Sequence, residues 1–228
     1  MRAPVVVLLL AASALGCASD GSGAPATTSA PVSTATAAGP TTTALAGPVE
    51  ITIRIERRVF DPATEGFADS VVATLADERG WQQAGFRFTF DDPAAPFLVV
   101  LADGIEVDAL CAPYDVDGRF SCQLGPVVAL NADRWREATP EWTGDLATYR
   151  QMLVNHEVGH LLGQHHPDVQ CPEPGEPAPV MAQQSTELGG CLPNPWPLEW
   201  ELTCAARHVE PLAPPYEPDP APTCGPEG

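Results

Sequence analysis

The chain has 228 residues, an apolar fraction of 44%, and a net charge of −19 from 30 acidic against 11 basic residues. That charge excludes nucleic acid and anionic lipid surfaces as partners, since both would repel it. Length and apolar content suit one ordinary domain with a real core, while 26 Pro and 19 Gly predict long irregular segments around it.

Residues 1–16 read as an export signal, with Arg2 ahead of an apolar run from Val5 to Leu10 that is too short to span a bilayer. Its end supports two readings. Ala14-Leu15-Gly16-Cys17 resembles a bacterial lipobox, which would put lipid on Cys17 and make the protein a cell-surface lipoprotein. Ala12-Ser13-Ala14 instead suits ordinary cleavage and full secretion. The odd count of seven Cys favours the lipoprotein, because setting Cys17 aside leaves six, enough for three disulfides in an exported chain. Residues 17–48 are nearly all Ala, Thr, Ser, Gly and Pro, with no apolar periodicity to bury, and are expected to form a disordered tether.

A domain is expected over residues 49–207. Residues 50–56 alternate polar and apolar and predict a half-buried strand. Phe67, Val71, Val72 and Leu75 recur at helical spacing and predict a helix over 65–79. Residues 86–90 alternate again, and 97–101 form a continuous apolar run, as in a strand covered on both faces. Residues 118–123 and 127–130 read as a hairpin through Leu124-Gly125-Pro126. Cys111 and Cys122 flank the loop before it and are proposed to pair. Asp115 and Asp117 in that loop are read as turn formers ahead of a calcium site.

From Asp145 the pattern is helical to Gly163, with Thr143 or Asp145 able to cap its start and Leu146, Leu153, Val154, Val158, Leu161 and Leu162 as its buried stripe. This helix carries His156-Glu157-Val158-Gly159-His160. Two His four apart lie about 40° apart around a helix axis, so both rings can face one ion. Gly163 lets the chain turn out of the helix, and His166 can return as a third ligand. Glu157 is then placed as general base for a water on a catalytic zinc ion. The bland alternative, His that are solvated or capping, leaves Gly163 and His166 unexplained.

The extended pattern, HExxHxxGxxH, resembles the zinc consensus of the metzincin clan of metallopeptidases. Residues 127–135 (VVALNADRW), the zinc motif, 177–181 (PAPVM) and 191–197 (CLPNPWP) also resemble a domain of unknown function found in secreted actinobacterial proteins, over about two-thirds of the chain. The metzincin resemblance implies an α+β, zincin-like fold. It has a twisted five-stranded mixed sheet, a backing helix, an active-site helix, and a loop-rich C-terminal subdomain with a Met-turn at Met181. In that comparison 118–123 is the antiparallel edge strand that pairs with substrate. The Tyr that some clan members carry after the Met has no counterpart, since Gln183 stands there between Ala182 and Gln184.

The Pro-rich stretch 171–179 cannot be helix or central strand. Residues 198–207 predict a closing helix with Trp200 and Leu202 inward, and 208–228 a Pro-rich extended tail. Six Cys allow 15 connectivities. Those preferred besides Cys111–Cys122 are Cys171–Cys191 and Cys204–Cys224. His165 is read as a partly exposed neighbour, and His208 as uninvolved. The function expected is a monomeric zinc metalloendopeptidase acting on a peptide or protein, with Glu157 as base. Its only membrane link would be an N-terminal lipid anchor. Two alternatives stay open: a non-catalytic zinc-stabilised binding module at the cell surface, and a zinc amidase acting on a cell-wall component.

Overall fold

A computed structural model describes residues 47–90, 92–207 and 225–226. The expected signal, Cys17, most of the tether, His208 and Cys224 lie outside the described residues. Five strands form one mixed sheet in the order β2-β1-β3-β5-β4: β1 Val49–Arg57, β2 Phe86–Thr89, β3 Phe97–Ala102, β4 Cys122–Leu124 and β5 Val127–Asn131. β1 pairs in parallel with both β2 and β3, and β3 with β5, while β4 is antiparallel to β5 at the edge. Parallel neighbours need crossovers. Helix α1, Phe67–Leu75, supplies that between β1 and β2, and α2, Gly104–Cys111, lies between β3 and the β4–β5 hairpin. Helices α3, Ala132–Glu137, α4, Leu146–Leu161, and α5, Glu199–Arg207, follow. The class is α+β, as expected.

The pleat sorts β3 into two cores, because alternate side chains leave opposite faces of a strand. Phe97, Val99 and Leu101 face the larger core with Ile51, Ile53, Val128, Leu130 and the inner sides of α1 and α4. Leu98, Val100 and Ala102 face a smaller one with Val107, Cys111 and Ala129. α2 is the second cover that the apolar run demanded, although no element was read there. Its start is visible afterwards: Asp103 accepts the Glu106 backbone N–H at 3.0 Å.

Several boundaries differ from expectation. α1 starts two residues later and ends four earlier than 65–79: Gly66 sits at φ +70 just before it, and Asp61 caps a separate 3-10 turn over Pro62–Thr64. The edge strand is limited to Cys122–Leu124, because Asp115 and Asp117 close a turn before it, the Asp117 N–H donating to Asp115 Oδ1 at 2.9 Å. Of the two candidate caps Asp145, not Thr143, starts α4, and burial wraps round the helix from Tyr149 to Gly159 instead of following one stripe. A helix buried on all sides loses the amphipathic signature. In α5 the inward residues are Glu201, Cys204 and Ala205, with Leu202 against the core and Trp200 only half-buried.

Cys111–Cys122 and Cys171–Cys191 are bridged as proposed, which fits an oxidising compartment. Cys204 is disulfide-bonded. Among the described residues no helix is long and apolar enough to cross a membrane.

Candidate metal centre

α4 delivers His156, Glu157 and His160, and the end of the helix delivers His166. Leu161 and Leu162 are buried, so the helix cannot fray there. Gly163 takes φ +81, its N–H donates to the His160 carbonyl at 2.9 Å, and the Gln164 N–H donates to the Gly159 carbonyl at 2.9 Å. That pair of bonds is a Schellman ending, which reverses the chain within two residues. His166 is thereby brought back over the helix. Its Nε2 lies 3.1 Å from Nε2 of His160 and 3.2 Å from Nε2 of His156.

Tautomers are set from behind. The His156 Nδ1–H donates to the Val180 carbonyl at 2.8 Å, and the His160 Nδ1–H to the Gln164 carbonyl at 2.7 Å. Each bond leaves a bare Nε2 lone pair toward the common centre. With His166 Nε2 facing them at 3.1 and 3.2 Å, these lone pairs converge on a point that a cation can occupy. Among the described residues, this is the one His, Cys, Asp or Glu group that could hold a metal ion.

Burial, with the neighbouring His166, lowers His156 to about 4, and burial also lowers His160 and His166 from the ordinary imidazole value. A lowered pKa means fewer protons competing for the lone pair at a given pH. Metal occupancy, followed by elemental analysis after dialysis, should therefore hold at pH 6 and fall only toward pH 4. Loss already at pH 6.5 would contradict this.

Glu157 is 6% exposed, and burial alone raises its carboxyl to about 8. Among the described residues no cation offsets that burial, so a cation brought to the cleft would lower the carboxyl again. The cleft has a volume of about 420 Å³. It is lined by β4 with Phe120, by Gln183 to Thr186, and by Arg134, Met152 and Leu153. His165, exposed as expected, lies at its rim.

Met181 is 2% exposed and packs beneath α4 at Gly159, between the two helical ligands. A Cβ on Gly159 would collide with Met181 Sδ and lie 2.9 Å from Trp81 Cζ2. Gly159→Ala should therefore destabilise the protein by about 1–3 kcal/mol in denaturant unfolding, the usual cost of overpacking. Trp81 also ties the helix down through its Nε1–H, which donates to the Asn155 carbonyl at 2.9 Å.

Three supporting groups escaped the sequence reading. Glu201, 2% exposed, accepts the backbone N–H groups of Val180 at 3.0 Å, Met181 at 2.9 Å and Leu198 at 2.7 Å. Its clue was an acid on the inward side of a closing helix. Gln184, 1% exposed, donates to the carbonyls of Pro179 and Asn194 and accepts the Asn194 N–H, locking the same turn from its far side. Tyr149 has its hydroxyl 2.9 Å from Ser185 Oγ. Burial raises the Tyr149 phenol, and the Ser185 bond and the charge of nearby Arg134 partly offset that.

Residues 18–197 match the model of a protein family, DUF3152, described as a protein of unknown function. A search of curated proteins finds no match to the chain.

Proposed function

We propose that this chain, which belongs to the DUF3152 family of proteins of unknown function, is a zinc-dependent peptidase of metzincin type. The observation that carries the reading is the triangle of Nε2 atoms, 3.1 and 3.2 Å on two sides, opening into the cleft that Glu157 shares. Ligand bonds of 2.0–2.1 Å at tetrahedral angles require nitrogens about 3.3–3.4 Å apart. Zinc fits those two sides and the all-imidazole donor set, all three ligand nitrogens lying within 4.8 Å of one another, and the open side of the triangle leaves the position a catalytic ion keeps. His156, His160 and His166 would hold it. When bound, zinc supplies a Lewis acid that acidifies water and polarises a carbonyl.

The chain's own residues do the rest. Glu157 takes the proton of the attacking water and passes it to the leaving amine, a role for which a nearby cation draws its raised pKa back down. β4 lines the cleft and is the edge of the sheet among the described residues, an edge on which an extended peptide can lie. Met181 forms an apolar floor in the manner of a Met-turn, and Glu201 keeps that floor and the Val180 carbonyl in place. The protein is exported into an oxidising compartment, and in this reading Cys17 carries a lipid.

The test is digestion of a mixed peptide library by zinc-loaded protein, read by mass spectrometry, with a chelated sample beside it. Cleavage that stops on chelation and returns with zinc supports the reading. A protein that takes up zinc and cleaves nothing would leave the binding-module alternative standing.

A further inference from the structure

We infer that Arg134 sets specificity in this cleft by receiving a carboxylate carried by the substrate beside the bond that is cleaved. The inference rests on the peptidase reading and names a substrate class for it. Arg134 lines the same cleft as Glu157 and the three His. Its Nε is buried and has no hydrogen-bond partner. Among the described residues it enters no ion pair, in a chain where acids outnumber bases 30 to 11. Arg58, Arg79 and Arg136, by contrast, each hold a carboxylate within 2.7 Å.

A partly buried guanidinium without an acceptor is unfavourable, and its planar fork of donors matches a carboxylate. The acceptor it lacks within the protein is one that a ligand in the cleft can bring. The group is also held in place. α3 follows β5 directly, Asn131 caps it by accepting the Asp133 N–H at 2.9 Å, and Trp135, 1% exposed, packs edge-on against Phe67 with ring centroids 4.9 Å apart. A net charge of −19 repels an anionic peptide at a distance, and a cation inside the cleft offsets that where binding occurs.

Capped peptides cleaved by the zinc-loaded protein are remade in pairs with Glu or Gln beside the scissile bond, each with a free or an amidated C-terminus. Wild type should prefer the carboxylate in kcat/KM by roughly 10- to 100-fold, the span of a hydrogen bond to a charged group. Preference that follows Glu identifies a side-chain carboxylate, and preference that follows the free end identifies a terminal one. Arg134→Gln should bring the ratio toward one, and Arg134→Lys should keep part of it, which a purely structural role would not do. A wild-type ratio of one in both series, or a ratio that survives in Arg134→Gln, overturns the inference. If wild type cleaves no peptide, the peptidase reading fails by itself. Calorimetric binding of the same kinds of pair to Glu157→Gln, with and without Arg134→Gln, then still decides the role of Arg134.

Discussion

Glu157→Gln should lower peptide hydrolysis by roughly 10²–10⁴-fold, the range removed with a general acid–base group, while zinc stays bound at its wild-type stoichiometry. The substitution keeps volume and shape, so the fold has no reason to change. Glu157 is not a member of the ligand triad, and among the described residues no cation engages its carboxylate, so metal affinity has little reason to move. What disappears is the buried carboxylate that, in the proposed reaction, would accept a proton from water and return it to an amine. Metal analysis and single-turnover kinetics on the same sample make the measurement. A variant that retains full activity removes Glu157 from the chemistry, and one that loses its zinc makes the residue structural.

Glu201→Ala is expected to be the most destabilising single change near the site. Three backbone N–H groups lose their acceptor inside the protein, and at roughly 1–3 kcal/mol for each unsatisfied buried group the loss is about 3 kcal/mol or more. The turn that Glu201 holds also presents the Val180 carbonyl to His156, so zinc affinity should fall by roughly 10- to 100-fold, as when outer partners of metal ligands are removed. Denaturant unfolding and competition with a chelator read the two effects separately. A pH dependence identifies the carboxylate as their source. Burial raises Glu201 to about 7, against 4.5 ordinarily, although its three N–H donors pull the other way. A folded pKa above the unfolded one contributes stability that is complete below pH 4.5 and fades as pH rises through 7. Relative to Glu201→Gln, the metal-free wild type should therefore gain stability on acidification from pH 7 to 4.5. A difference that stays flat with pH would show that the buried carboxylate does not titrate there.

Much of this was legible in the chain because local physics determined it. β1 announced itself by alternation, β3 by an unbroken apolar run, and the β4–β5 hairpin by its Gly125-Pro126 turn. The Asp145 cap and the Gly163 reversal bound α4 at both ends. His156, His160 and His166 sit on either side of that reversal, so their convergence follows from helix geometry and one left-handed residue, with little help from the rest of the fold. Cys111–Cys122 and Cys171–Cys191 join sites at short separations of 11 and 20 residues.

Other features had no local trace. α2 is short, its apolar residues make no clear stripe, and only the second face of β3 requires it. Trp200 was read inward in place of Glu201, because a buried carboxylate is tolerable only where N–H donors converge on it. Those donors belong to Val180, Met181 and Leu198, the first two about twenty residues away. Arg134 drew no reading of its own in the sequence, where it stands only inside the 127–135 stretch, and it became a cleft residue when α3 was set beside α4. The chain thus determined its strands, the ends of its central helix and its three imidazoles through interactions spanning a few residues. Which carboxylate is buried, which arginine lacks a partner and what lies beneath the ligands were decided by tertiary packing alone, since burial and solvation are properties of neighbours brought together from distant parts of the sequence.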